Sequence, residues 1–236
     1  MTITRVSVDS AGNQANDLSL IPSISADGRF VAFSSRASNL VSGDTNNSDD
    51  IFVRDLSTNT TTRVSVDSAG NQTIGGSGSP SISADGRFVG FISFASNLVP
   101  GDTNNRSDIF VRDLSTNTTT RVSVDSAGNQ GNGGFLLGFF IPSISANGRF
   151  VAFTSFIPNL VPGDTNDGSD IFVRDLSTNT TTRVSVSGAS NPGNGDSFNP
   201  SISADGRFVA FASFASNLVP GDTNFSNDIF VRDLST

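Results

Sequence analysis

Apolar residues in this chain occur in short runs separated by turn-forming residues, a pattern that predicts β-strands. The runs from Phe30 to Phe33 and from Ile51 to Val53 are apolar at consecutive positions, which predicts strands buried on both faces of a sheet. Gly, Asn, Asp and Ser fill the segments between the runs, as in the tight turn at Ala26, Asp27 and Gly28.

The same pattern occurs four times. The segment SISADGRF begins at Ser23, Ser81 and Ser201, and SISANGRF begins at Ser143. The segment IFVRDLST begins at Ile51, Ile109, Ile171 and Ile229, and TRVSV begins at Thr4, Thr62, Thr120 and Thr182. A fixed period of this size is typical of solenoids and propellers. The third copy carries a four-residue insertion, since successive SISA segments are 58, 62 and 58 residues apart.

Each copy predicts four antiparallel strands, named A to D in chain order. In the first copy these are Pro22 to Ser25, Arg29 to Phe33, Ile51 to Leu56 and Thr62 to Val66. The predicted blades cover residues 22–66, 80–124, 142–186 and 200–236 within a single domain, 1–236. The last blade lacks strand D, and we expect Thr4 to Val8 to close it.

Strand A with SISADG, strand B with RFVAF and strand C with DIFVRDL resemble the PD40 (WD40-like) repeat of TolB-like β-propellers. The resemblance covers essentially the whole chain and implies an all-β propeller, here with four blades. It also implies frequent protein-binding roles and a bacterial setting, periplasmic or secreted. Relatives commonly have more than four blades. The alternative to a four-bladed monomer is therefore an eight-bladed ring that two chains share. We favour the monomer, because the terminal strand is available in the same chain.

The amino-acid composition reduces the number of functions that we expect for this chain. The net charge is −8, which disfavours a nucleic-acid partner. No apolar run predicts a membrane span or a signal peptide. Lys, Glu, His, Cys and Tyr are absent, so the usual acid–base groups and nucleophiles are missing and we expect no enzyme activity.

The long B–C and D–A connections are predicted to share one face and to bind a protein or peptide. The D–A connection of the third copy supplies an apolar candidate patch, for which the alternative is a plug of the central channel. That patch consists of Phe135, Leu136, Leu137, Phe139 and Phe140.

The B–C loop repeats the pattern Asp-x-Asn-x3-Asp, which gathers oxygen donors that suit Ca²⁺. Its residues are Asp44, Asn46 and Asp50; Asp102, Asn104 and Asp108; Asp164, Asn166 and Asp170; and Asp222, Asn224 and Asp228. The alternative, which we favour, is that the first Asp and the Asn form Asx-turns while the last Asp binds backbone amides where strand C starts. No cofactor is therefore certain.

Two further functions stay open beside the binding module: a calcium-binding structural propeller and a lectin with repeated sites. Phe94, Phe156 and Phe214 recur beside the B–C loop. A lectin would use such rings as platforms on which sugar rings stack, but we interpret them as packing residues. The repeated arginines Arg29, Arg54 and Arg63 are expected to pair with Asp27, Asp50 or Asp55.

Overall fold

A computed structural model describes residues 2–132, 141–166, 168–188 and 190–235. Every regular element in these ranges is a β-strand, and the strands form four antiparallel sheets in chain order. Blade 1 contains β1 (Ser19–Ile24), β2 (Phe30–Ser35), β3 (Asp50–Asp55) and β4 (Thr60–Arg63). Blade 2 contains β5 (Ser77–Ile82), β6 (Phe88–Ser93), β7 (Asp108–Asp113) and β8 (Thr118–Arg121). Blade 3 contains β9 (Ser143–Ile144), β10 (Phe150–Ser155), β11 (Asp170–Asp175) and β12 (Thr180–Arg183). Blade 4 contains β13 (Ser197–Ile202), β14 (Phe208–Ser213) and β15 (Asp228–Asp233).

The four strand positions predicted from sequence are present in blades 1 to 3, with shifted ends. Strand A begins earlier than expected, at Ser19, because a bulge between Leu20 and Ser23 lets the pairing with β2 continue. Strand D ends at Arg63, and Val66 instead forms an isolated bridge with Gln72. Each blade is a meander, as the antiparallel pairing of consecutive strands shows.

Successive blades bury each other's apolar residues. Ile51, Val53 and Val64 form the trailing face of blade 1, and they pack in one cluster with Phe91 and Phe110 on the leading face of blade 2. Equivalent clusters join blade 2 to blade 3 and blade 3 to blade 4. Each aliphatic side chain buried in this way contributes about 1.5–3 kcal/mol, so the contacts between blades are a main source of stability.

A phenylalanine at the start of strand B fixes the distance between neighbouring blades. The ring of Phe30 lies against Gly86 in the A–B turn of blade 2, where an added Cβ would be 2.1 Å from the ring. The guanidinium of Arg29 covers the Phe30 ring, with its Cζ 4.5 Å from the ring centroid. Gly86 also has a φ of +74°, so both the backbone and the close contact require glycine.

Arg29 also makes the ion pair that the sequence predicted. Its Nε and NH2 groups donate to the two carboxylate oxygens of Asp55 at 2.9 and 2.6 Å. These hydrogen bonds hold the pKa of Asp55 well below its usual range. Arg54 differs from the prediction, because this buried side chain donates to the carbonyl oxygens of Asp9 and Asn59.

The fourth sheet has three strands, in the order β13-β14-β15. Among the described strands, the sheet ends at β15 without a fourth strand from Thr4 to Val8, and Ile3 is fully exposed. The physical reason is that the trailing face of blade 4 and the leading face of blade 1 do not cover each other, as exposed Ile229 and Ile24 show.

No helix in the described part of the chain is long and apolar enough to cross a membrane.

We predict that Gly86→Ala destabilises the chain more than Gly70→Ala does. Both glycines have positive φ, which costs alanine about 1–2 kcal/mol. Gly70 has open space at its Cβ position, whereas the new methyl at Gly86 must displace Phe30, which adds about 1–3 kcal/mol. Urea unfolding of both variants measures the difference. Equal losses would contradict the proposed packing role of Phe30.

Candidate binding face

The long connections lie together at one end of every blade. In an antiparallel meander, the B–C loop and the connection to the next blade leave the sheet at the same end. The A–B and C–D turns are at the opposite end and are short, as the turn from Ser25 to Arg29 illustrates. We call the end with the long connections the loop face.

A repeated asparagine ties the loops of this face together. The Nδ2 of Asn39, in the B–C loop of blade 1, donates to the Gln14 carbonyl at 2.8 Å, and its Oδ1 accepts from the Asn16 amide at 2.9 Å. Asn97, Asn159 and Asn217 make the same contact to the preceding D–A connection in the other copies. Each B–C loop is therefore fixed to the D–A connection before it.

The following D–A connection is fixed as well. The Nδ2 of Asn46 reaches the carbonyl of Thr73 at 3.2 Å, and the Thr45 amide donates to Oε1 of Gln72 at 3.2 Å. D–A connections therefore alternate with B–C loops along the loop face, and each D–A connection between two blades is hydrogen-bonded to the B–C loops on both sides. Such a surface has little freedom to rearrange.

The predicted calcium residues of the first copy do come together, but an arginine joins them. NH1 of Arg63, from β4, lies 3.4 Å from Oδ1 of Asp44 and 3.6 Å from Oδ2 of Asp50. Asn46 donates to the same Asp50 oxygen at 3.0 Å. All of these charged side chains are almost completely buried, so the cluster is a structural ion-pair centre below the loop face.

The centre recurs in the next two blades. Arg121 contacts Asp102 and Asp108 at 3.4 and 3.7 Å. Arg183 contacts Asp164 and Asp170 at 2.9 and 3.4 Å. The fourth copy brings Asn224 to Asp228 at 3.0 Å, but the strand that carries this arginine in other blades is missing from its sheet.

The Asx-turn predicted at Asn46 is present, since Oδ1 of Asn46 accepts from the Ser48 amide at 3.0 Å. Asp50 differs from the prediction, because its described partners are the side chains of Asn46, Arg63, Ser65 and Thr73 and not backbone amides. Its Oδ1 accepts from the hydroxyls of Ser65 and Thr73. The Ser65 hydroxyl oxygen in turn accepts from the Ile51 amide, so the carboxylate acts on strand C through serine.

Burial and the arginine act in opposite directions on these carboxyl groups. Burial raises the pKa of Asp108 and of Asp170 above its usual value, and the neighbouring arginine and serine lower it in part. Burial likewise raises the pKa of Asp44 and of Asp102. Among the described residues, no group of three His, Cys, Asp or Glu side chains is placed to hold a metal.

The arginine bears directly on calcium. A guanidinium in contact with both carboxylates offsets the negative charge that a Ca²⁺ site of this kind requires, which disfavours calcium in the first three copies. Calcium binding stays a prediction, and a calcium titration that left the melting temperature unchanged would remove it.

Aromatic side chains on the loop face are more exposed than the sequence suggested. Phe94 and Phe214, interpreted above as packing residues, are 52% and 55% exposed, whereas Phe156 is half-buried. Ile74 and Leu18, in D–A connections, are also exposed.

The apolar patch predicted at Phe135, Leu136, Leu137, Phe139 and Phe140 lies outside the described residues. Its prediction stays open.

The arrangement of four sheets is similar to parts of several solved structures. TolB from Acinetobacter baumannii aligns over 93% of this chain and 42% of its own, with a TM-score of 0.53 and 22% identity. The tricorn protease aligns over 93% of this chain and 22% of its own, with a TM-score of 0.53 and 16% identity. The β-propeller domain of the Trilobed protease from Pyrococcus furiosus aligns over 92% and 55%, with a TM-score of 0.50 and 13% identity.

The fold is that of a β-propeller. No family model matches the sequence, and no curated protein matches it either. The likeness therefore concerns the fold, and together with the four sheets it confirms the prediction of an all-β propeller of four blades. This propeller spans about two fifths of the length of TolB and less of the tricorn protease.

We predict that Arg121→Met destabilises the propeller by about 3 kcal/mol at pH 7, because two buried carboxylates lose their counter-charge. Without the guanidinium, the pKa of Asp102 and of Asp108 rises further. Both groups then bind protons more readily in the folded than in the unfolded chain, so the loss should shrink as the pH falls towards about 4.

Denaturant unfolding at both pH values measures this effect, and Arg36→Met is the control. Arg36 pairs with Asp49 at 3.3 Å, but both side chains are exposed, so the control should change stability by about 0.5 kcal/mol or less. A loss for Arg121→Met that is equally small, or equal at both pH values, would contradict the structural role of the centre.

Proposed function

We propose that this propeller is a non-catalytic binding module whose loop face holds a protein or peptide partner. The observation that carries the proposal is the exposure of two rings, Phe94 and Phe214, on a face where each B–C loop is hydrogen-bonded to the D–A connection before it. Aromatic anchors on a rigid, largely polar surface are the features that dominate binding energy at protein interfaces.

Rigidity supports this proposal. The Asn97 contact fixes the B–C loop that follows Phe94, and the Phe94 amide donates to the Gly76 carbonyl at 3.0 Å. The Phe214 amide makes the equivalent bond to Asp196 at 2.9 Å. Because these loops are ordered before binding, a partner would lose little affinity to loop ordering.

The residue types support a role without catalysis. Asp is the only carboxylic acid in the chain, and His, Cys, Lys and Tyr are absent. The aspartates with raised pKa, such as Asp108, lie beside arginine and serine in buried centres, so their shifts have a structural cause. Propellers of this fold occur in TolB and in proteases alike, so the fold itself does not decide the question.

A peptide library displayed on phage and selected on the immobilised propeller provides the test. Calorimetry then measures the affinity of the best peptide for the wild-type chain and for the Phe94→Ser, Phe214→Ser double variant. We expect the double variant to bind at least ~10-fold more weakly, since loss of an anchor costs about 1–2 kcal/mol.

The control is Thr116→Ala, which changes an exposed side chain in a C–D turn at the opposite end of blade 2. Its affinity should match that of the wild type. A peptide that binds the double variant as tightly as the wild type would place the binding site away from these rings, and failure to select any peptide would also count against the proposal.

A further inference from the structure

The two ends of the row of blades expose residues that are buried at every equivalent position. On the trailing side of blade 4, Ile229 is 74% exposed, whereas Ile51, Ile109 and Ile171 are at most 1% exposed. Val231 shows the same contrast with its copies. The last blade therefore presents a face that is built for burial.

The leading side of blade 1 is its counterpart. Ile24 is 61% exposed, whereas Ile82, Ile144 and Ile202 are at most 9% exposed. These three copies each pack against the trailing face of the blade before them. Blade 1 lacks such a neighbour in the described structure.

The two end blades also carry backbone groups that form hydrogen bonds between blades at the other joints. At each joint, an alanine amide donates to the alanine carbonyl of the next blade at 3.0 Å, as from Ala26 to Ala84. An isoleucine amide of the next blade donates back to a serine hydroxyl, as from Ile82 to Ser23 at 3.1 Å. At the open ends, the matching groups are the Ala204 amide on blade 4 and the Ala26 carbonyl on blade 1.

The phenylalanine contact shows the same complementarity. Phe30, Phe88 and Phe150 each lie against the A–B glycine of the following blade. No described glycine lies against Phe208 of blade 4, and Gly28 of blade 1 has open space at its Cβ position. One end therefore carries the ring and the other end carries the site for it.

The segment Thr4 to Val8 has the same sequence, TRVSV, as residues 62–66, 120–124 and 182–186, which contain the end of the fourth strand in blades 1 to 3. Arg5 donates to Gln14 at 2.7 Å, as Arg63 does to Gln72 at 2.7 Å. In blade 1, Arg63 also reaches two aspartates, and the equivalent pair for Arg5 is Asp222 and Asp228 at the other end of the chain.

An open groove of about 550 Å³ lies beside the free edge of blade 4. It is lined by Asp222, Asp228, Ile229 and Val231, among others. Arg5 and Val6 would bring a cation to the two aspartates and an apolar side chain to Ile229. The groove therefore matches the charge and the apolar surface of the N-terminal segment.

The segment cannot reach this groove within the described arrangement. Residues that follow it are bound to blade 1, because the Thr61 amide donates to the Ser10 hydroxyl at 3.0 Å and Arg54 donates to the Asp9 carbonyl at 3.0 Å. Blades 2 and 3 separate this anchor from β15. A second copy of the chain has the required segment next to the required face.

We infer that the trailing face of blade 4 binds the leading face of blade 1 of a second copy, whose Thr4 to Val8 segment becomes the fourth strand of that blade. Two copies joined in this way at both ends form a ring of eight blades without a free edge. The proposed joint between copies lacks one side-chain hydroxyl that the other joints have, because Ile3 occupies the position of Thr61.

Cysteine pairing tests the inference, because the natural chain contains no cysteine. The pairing of Thr62 with Val53 in blade 1 places Thr4 opposite Val231 at the proposed joint. Thr4→Cys and Val231→Cys chains are mixed and oxidised, so that a disulfide between the two residues can form only between copies. We expect a covalent heterodimer on a non-reducing gel.

The control mixes Thr4→Cys with Ile74→Cys, whose side chain is equally exposed but lies in a D–A connection. This pair should crosslink at least ~10-fold less. Equal crosslinking in both mixtures would overturn the inference. A Thr4→Cys, Val231→Cys double variant that crosslinks only within one chain would also overturn it, in favour of closure by its own strand.

Light scattering supplies the second readout. The wild-type chain should have twice the mass of 24.5 kDa, and Ile229→Asp should return it to 24.5 kDa, while Ile74→Asp leaves the mass unchanged. Because Ile229 is exposed in the single chain, its substitution leaves the fold of each chain intact. A wild-type mass of 24.5 kDa, an open-ended polymer, or a dimer that persists in Ile229→Asp would each overturn the ring.

Discussion

The structure depends on each sheet being covered by the next. Strands B and C carry apolar residues on both faces, and the trailing face of a blade, with residues such as Ile51 and Val53, is buried where it meets the leading face of the next blade. This constraint accounts for the contact between the strand B phenylalanine and the A–B glycine of the next blade, which recurs and fixes the spacing of the blades. It also explains why the sheet sequences of the four copies are nearly identical.

Function is expected where this constraint is absent. The loop face contains the residues that differ among copies, such as Arg36 in place of Phe94, while its support is the same in each blade. The buried arginine centres and the asparagine contacts hold the loops at defined positions. A surface of this kind can change its partner by changing exposed side chains, because the packing beneath it does not depend on them.

Much of the fold follows from the sequence, since the repeated motifs locate the strands, the turns and the face with long loops. The candidate site was only partly predictable. Asp44, Asn46 and Asp50 do cluster, but Arg63 lies on a different strand, and its place beside them depends on pairing between β3 and β4. Exposure of Phe94 likewise depends on tertiary packing. The segment Thr4 to Val8 matches strand D of the other copies, so the sequence predicts that it binds beside strand C of blade 4. The sequence does not predict which chain supplies the segment.

Hydrogen exchange on the Ile229→Asp chain tests the central claim most directly, because this variant is expected to exist as a single row of blades. If covering by neighbours stabilises each sheet, the amides of β6, β7, β10 and β11 should exchange most slowly, since blades 2 and 3 are covered on both sides. The amides of β15 should exchange faster, because the trailing face of blade 4 is exposed. Equal protection in all four blades, or slowest exchange in a terminal blade, would contradict the account.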